Sequence, residues 1–363
     1  MSTRLAVLYG GQSNEHEVSC HSAESILAAL DRDQYQVTEV FIGRDGGWRV
    51  DGQAVPLTTA LRALDVQDVV FPALHGPYGE DGTVASLLEW LGTPYVGNGV
   101  FASAAGMDKA TTKKLLSAEG LRVSPGVTLR PGDGLAPADR QRLGLPVFVK
   151  PARSGSSLGV TRVDDWARLP AALAWARAAD PKVVVEQAAG AREIDVAVLQ
   201  HPDGRVEAGP PLEINVTDAD FFDYGAKYED GAVFDIPARL DSATTELLQR
   251  QAVRAFHALD CRGLLRVDLF LPTSGSTEPI VNEVNTFPGF TRMSQYPQIW
   301  QRAGIEFPAL LDVLIRGALT DYGRPIPAGM SRRTPTPRPG PLGVTTDAGP
   351  DRLGPGRAGV TVS

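Results

Sequence analysis

Through its first hundred residues the chain alternates strand and helix signals, and no other feature limits the fold as much. Leu5–Tyr9 is a short apolar run that ends in Gly10-Gly11. Ala23, Ile26, Leu27 and Leu30 then recur at helical spacing. Val37–Ile42 and Asp68–Leu74 read as further strands, and Pro94–Val96 as a short one. Strands that alternate with helices call for crossover connections, so a mostly parallel, Rossmann-like sheet is expected. Downstream the pattern changes. Met107–Glu119 reads as a polar helix, and strands at Val147–Lys150, Val160–Val163 and Val183–Glu186 are linked by Gly/Ser turns. Strands follow near Asp195–Leu199, Pro211–Asn215, Arg266–Leu271 and Ile280–Asn285, with a helix between them that presents Leu248, Ala252, Ala255, Phe256 and Leu259 on one face. Phe307, Leu310, Leu311, Leu314 and Ala318 mark a last amphipathic helix. The expected class is therefore α/β at the start and α+β after it. Residues 323–363 hold eight Pro and eight Gly with no apolar period, and a disordered or loosely attached tail is expected there.

Composition narrows the partners. A net charge of −8 argues against a nucleic acid or an anionic membrane, which favour basic surfaces. Two distant cysteines, Cys20 and Cys261, make neither a disulfide framework nor a metal spacing. Leu5–Tyr9 is too short for a signal-peptide core, and no later run is long enough to span a membrane. The expectation is a soluble cytoplasmic protein acting on small molecules.

Five segments carry candidate chemistry. Lys150–Gly159, Lys-Pro-Ala-Arg-Ser-Gly-Ser-Ser-Leu-Gly, joins two strands. Its Gly and Ser residues expose backbone N–H groups and hydroxyls to phosphate oxygens, with Lys150 and Arg153 for charge. Gly155–Gly159 also spells the Gly-x-Ser-x-Gly of a serine-hydrolase elbow, which needs a following helix and an Asp–His pair; here Val160, Thr161 and Val163 favour a hairpin, and His201 and His257 lack a clear acidic partner. Arg266-Val-Asp268 and Glu283-Val-Asn285 each place two polar residues on one strand face, among apolar neighbours. Asp268, Glu283 and Asn285 suit magnesium, which takes a few carboxylate oxygens plus substrate phosphates. Gly10–Ser19 follows a strand and opens a helix, a place for an anion or an amino acid. Leu74–Gly82 also follows a strand, and His75 shares a crevice with Gly10–Ser19 if their strands are neighbours. Phe221–Gly231 is a long polar-aromatic loop with Lys227 and Tyr228 at its tip, in the manner of a lid.

Taken in order and spacing, these segments resemble the D-alanine–D-alanine ligase family of the ATP-grasp superfamily. The matching residues are Gly10–Ser19, His75–Thr83, Met107–Lys109, Lys150–Gly159, Tyr224–Tyr228, Gly263–Asp268 and Glu283–Thr291. The resemblance implies an ATP-grasp fold with an N-terminal Rossmann-like domain. It divides the chain into a substrate domain at 1–105, a central subdomain at 106–190, a catalytic subdomain at 191–322 and the tail at 323–363. Two D-alanines would be joined through an acyl phosphate, with ATP and two ions of magnesium or manganese, in a homodimer.

The resemblance also implies roles for single positions. Glu15 would hold the ammonium of the first D-alanine, with Ser156 and Tyr228 as hydrogen-bonded companions and His75 beside its carboxylate. Lys109, Lys150, Ser157 and Lys227 would contact phosphates, and Glu186 and Glu193 the adenosine. Asp268, Glu283 and Asn285 would ligate metal. Arg266 and the Gly289 N–H would bind the oxyanion, and Ser294 the second carboxylate. The hinge departs from the family pattern: Gln187-Ala188-Ala189 stands where relatives carry a bulkier residue. Tyr228 speaks against D-lactate as second substrate, because depsipeptide ligases that resemble this family lose that tyrosine; D-serine is the other alternative.

Overall fold

The structure is a computed structural model that describes residues 2–156, 158–216, 232–273 and 278–323. Residues 1–323 cluster as one compact unit. Its first sheet holds β1 (Thr3–Gly10), β2 (Tyr35–Ile42), β3 (Trp48–Val50), β4 (Gln53–Val55) and β5 (Val69–Ala73) in the order β4-β3-β2-β1-β5. β1 lies parallel to both β2 and β5. Its central position explains its composition: Leu5, Ala6, Val7 and Leu8 are all fully buried. Leu5 and Val7 join Ala23 and Ile26 of α1 (His16–Ala29), while Ala6 and Leu8 join Leu64 of α2 (Leu57–Asp65) and Leu88 of α3 (Thr83–Leu91). Each such Leu, Val or Ile contributes about 1.5–3 kcal/mol by leaving water.

Two details of this sheet differ from the sequence reading. Pro94–Val96 forms a single bridge, Val70 to Tyr95, in place of a strand. A β3–β4 hairpin also closes through Asp51-Gly52, both at positive φ, a turn that the Asp-Gly pair favours.

The predicted helix Met107–Glu119 begins two residues later than expected, and a separate helix precedes it. Helix α4 (Val100–Met107) stops at Asp108, which is extended and caps α5 (Lys109–Ala118) by accepting from the Thr111 N–H at 3.0 Å. The next sheet has the order β6-β9-β7-β8, all antiparallel: β6 (Gly126–Leu129), β7 (Val147–Pro151), β8 (Thr161–Val163) and β9 (Val183–Gln187). Helices α6 (Pro137–Leu143) and α7 (Leu169–Ala179) close its core with Leu143, Leu169 and Leu173. The last sheet has the order β13-β12-β10-β14-β15, with β11 on β10. Its strands are β10 (Ala191–Gln200), β11 (Val206–Ala208), β12 (Leu212–Val216), β13 (Ala232–Asp235), β14 (Leu264–Pro272) and β15 (Ile280–Asn285). Helix Ser242–Ala258 packs Leu248, Ala252, Ala255 and Phe256 under one face. The other face meets helices Gln295–Arg302 and Phe307–Gly323 through Trp300, Leu310 and Leu314.

Candidate functional site

All three sheets contribute to one cleft of about 920 Å³. The first sheet supplies two loops. Because β1 and β5 are parallel neighbours, the loops that follow them leave the same sheet end, so Gly10–Glu15 and Leu74–Asp81 meet there. Their joint is buried: the Ser13 hydroxyl donates to the His75 carbonyl at 2.7 Å. The His75 ring is held at both nitrogens, Nε2 by the Ser22 hydroxyl at 2.9 Å and Nδ1 by the Phe287 carbonyl at 3.1 Å. Such a ring has a fixed orientation beside the cleft.

The central sheet supplies the Gly/Ser loop between β7 and β8. These strands are antiparallel, so the loop is a hairpin and lacks the strand–turn–helix setting of a nucleophile elbow. His201, one proposed hydrolase partner, does have an acid nearby, Glu207 at 2.9 Å across the β10–β11 hairpin, but neither residue lines the cleft. Ser156 donates its hydroxyl to Glu15 Oε1 and sits at φ +49°, a left-handed conformation that costs a non-glycine residue about 1 kcal/mol. Glu15 leaves little room around itself: a Cβ on Gly155 would lie 2.8 Å from its carboxylate, and one on Gly76 nearer still. Ser157, Lys227 and Tyr228 lie outside the described residues.

Two charged clusters line the cleft. In the first, Lys113 and Lys150 each hold one oxygen of Glu186, Lys150 at 3.1 Å; Lys150 also donates to Asn282 Oδ1 at 3.2 Å. Glu186 is 1% exposed. Burial alone would raise its pKa, but the two ammonium groups outweigh burial and hold the carboxyl down to about 2. Burial dominates at Lys113, and against the pull of Glu186 it lowers the ammonium to about 8. Sequence reading missed Lys113, although it lies one turn beyond Lys109 on α5, where i and i+4 share a face.

In the second cluster Arg266 grips Asp268 with two donors, Nε at 2.7 Å and Nη2 at 2.8 Å, and its Nε lies 3.2 Å from Asp195 Oδ2. Burial opposes the guanidinium charge, but Asp268 and Asp195 hold its pKa above the ordinary value. Asp268 faces Glu283 across the β14–β15 ladder, and Arg266 faces Asn285. Asn285 donates to Asp268 at 3.0 Å, and Lys109 pairs with Glu283 at 3.0 Å. The Lys109 ammonium, disfavoured by burial, is raised above its usual value chiefly by Glu283. A β-bulge after Asp268 pairs Leu269 with Val281, leaving Asn282 without a partner in the ladder. Asn282 and Glu283 both line the cleft as a result, where strict alternation would allow one of them.

Oxygen donors from Asp268, Glu283 and Asn285 on neighbouring strands fit a hard cation such as magnesium. Among the described residues, no three His, Cys, Asp or Glu side chains gather as a metal site; the set here is two carboxylates and an amide. Ser294 precedes helix Gln295–Arg302 and its hydroxyl accepts from the Thr291 N–H at 3.0 Å. Gly289 lies against it, with the Ser294 hydroxyl 3.2 Å from where a Cβ would stand. Glu193 on β10 also lines the cleft. Thus every described candidate residue borders this one cavity or packs directly on its wall.

Two family models match the chain: "D-ala D-ala ligase N-terminus" over residues 4–67 and 53–98, and "D-ala D-ala ligase C-terminus" over 115–316. A D-alanine–D-alanine ligase of Mycobacterium sp. (strain KMS) is 48% identical, over 87% of this chain and 96% of the relative. The corresponding protein of Nocardia farcinica is also 48% identical, over 87% and 97%. Among solved structures, the VanG D-Ala:D-Ser ligase of Enterococcus faecalis superposes with a TM-score of 0.78 at 33% identity, covering 88% of this chain and all of that one. A Bacillus anthracis D-alanine–D-alanine ligase complexed with ATP gives 0.75 at 29% identity, over 89% and 99%. The fold is accordingly the expected ATP-grasp with a Rossmann-like N-terminal sheet. By sequence, by architecture and by the residues gathered in its cleft, the chain belongs to the D-alanine–D-alanine ligase family.

Proposed function

We propose that this protein is an ATP-dependent ligase that joins D-alanine to D-alanine, supplying the dipeptide for peptidoglycan. The observation that carries the reading is the convergence of Glu15–Ser156, the lysines on Glu186 and the Arg266–Asp268 fork on one cleft. Three regions share the work: 1–105 holds the first substrate, 106–190 the nucleotide, and 191–322 the reacting phosphoryl and acyl groups. The protein acts in the cytoplasm as a homodimer on small molecules. No described helix is long and apolar enough to cross a membrane.

A carboxylate resists attack until one oxygen becomes a leaving group. Glu15 and Ser156 hold the ammonium of the first D-alanine, and His75 stands beside its carboxylate. That carboxylate attacks the γ-phosphorus of ATP; the new C–O–P bond forms as ADP leaves. Lys109 and Lys150 balance phosphate charge, with Ser157 and Lys227 in the same role and Glu186 and Glu193 at the adenosine end. Asp268, Glu283 and Asn285 would hold two ions of magnesium or manganese, which would supply charge screening and polarisation at the phosphoryl group. Ser294 holds the second D-alanine, whose amine gives up a proton to a nearby group or water and attacks the acyl carbon. Arg266 and the Gly289 N–H take the negative charge that develops on the carbonyl oxygen. Collapse expels phosphate and leaves the peptide bond, while Tyr228 and its loop keep water from the acyl phosphate.

Phosphate release measured with ATP and, in turn, D-alanine, L-alanine, D-serine or D-lactate tests this. Rapid turnover with D-alanine alone is expected. No release with D-alanine would end the proposal, and faster release when D-serine or D-lactate joins D-alanine would change the second substrate.

A further inference from the structure

Arginine has five N–H donors and accepts nothing. Asp268 and Asp195 occupy the Nε edge of Arg266, and Asp268 also takes Nη2. The remaining end belongs to Gln295, whose Oε1 lies 2.8 Å from Nη1. The two ends of a carboxamide are ordinarily hard to tell apart, but here chemistry decides between them. Only the oxygen can face a guanidinium, so the Gln295 NH2 group must point away from Arg266. Gln295 directly follows Ser294 at the start of its helix, and both line the cleft. Among the described residues the Gln295 Nε2 makes no hydrogen bond, and Gln295 borders the cavity.

Ser294 cannot hold a carboxylate unaided. Its hydroxyl accepts from the Thr291 N–H at 3.0 Å and lies 2.9 Å from Thr291 Oγ1, so a single O–H remains to be shared. Two carboxylate oxygens need more donors than that.

We propose that Gln295 is a positioning residue for Arg266 and a binding group for the carboxylate of the second amino acid. The assignment rests on the ligase reading above. One amide then joins the acceptor's carboxylate to the group that receives the oxyanion. Occupation of the acceptor site holds the amide, and the amide holds the free edge of Arg266 toward the acyl carbon.

Steady-state kinetics of Gln295→Met and Gln295→Glu test it, with separate KM values for ATP and for the two D-alanine sites. Methionine keeps the length and removes both polar ends. It should raise the second-site KM about tenfold and lower kcat several-fold, leaving the first-site and ATP KM within about twofold. Glutamate keeps an oxygen for Arg266 but replaces the donors with negative charge. Its kcat should exceed that of the methionine variant while its second-site KM rises further. Melting temperatures within about 3 °C of wild type would show that this half-exposed first turn tolerates both changes. A second-site KM within twofold of wild type in both variants overturns the assignment while wild-type turnover keeps the ligase reading. A wild type inert toward D-alanine overturns the ligase reading and the assignment with it.

Discussion

The two charged clusters in the cleft have opposite stoichiometry. Around Glu186, two ammonium groups share one carboxylate; around Arg266, one guanidinium serves Asp268 and Asp195, with Glu283 beyond them. The Glu186 cluster is buried and the Arg266 cluster only partly exposed, so in each the surplus sign is strongly felt. A surplus of cation can lend a lysine to an incoming phosphate without stranding a bare carboxylate. A surplus of anion attracts a divalent metal. The difference teaches that the polarity of the site is set by local counting of charges. The chain's net charge of −8 says nothing about it.

Removing the shared charge should break the comparison most severely. Glu186→Gln leaves two ammonium groups buried with no carboxylate between them, and a loss of about 3–5 kcal/mol in urea unfolding is expected. Unfolding midpoints equal to wild type would mean that the lysines do not need it. On the anionic side, Glu283→Gln keeps an oxygen but removes one of the two carboxylate charges in the ligand set, and with it the ion pair to Lys109. Magnesium-dependent turnover should fall about a hundredfold with the fold intact by circular dichroism; wild-type rates would remove the metal assignment.

The smallest effect concerns pH. Burial lowers the Lys113 ammonium to about 8, so between pH 7 and 9 it loses the proton that an ordinary lysine would keep. The cluster then falls to one lysine per carboxylate, and Lys150 is drawn back to Glu186. The ATP KM should therefore rise a few-fold across that window. Lys113→Arg, charged throughout, should flatten the rise; an identical rise in that variant would place the titrating group elsewhere.

How much of this was legible in the sequence varied with the cause. Strands buried on both sides, such as β1, announce themselves as apolar runs, and Ile280–Asn285 was read with its observed ends. Arg266, Asp268, Glu283 and Asn285 were readable because period two puts them on shared faces. Asn282 was not, because the bulge that turns it into the cleft has no glycine to mark it and depends on pairing with β14. Lys113 and Asp195 looked like ordinary helix and strand residues; their importance comes from partners 73 residues from Lys113 and on a neighbouring strand of Asp195. The break at Asp108 was hidden because its cap competes with a good helical pattern on both sides. The lid pair, Lys227-Tyr228, lies outside the described residues and stays with the proposal.

The bulge has one more consequence. Asn282 meets Lys150 from β7, and Glu283, the next residue, meets Lys109 from α5. A single peptide unit of β15 thus works as a ruler between two lysines carried by different elements. Any drift of β7 or α5 along the strand must break register with a neighbouring mark. Deleting one residue from this strand would shorten the ruler, and the two lysines would lose their common scale before the core felt the change.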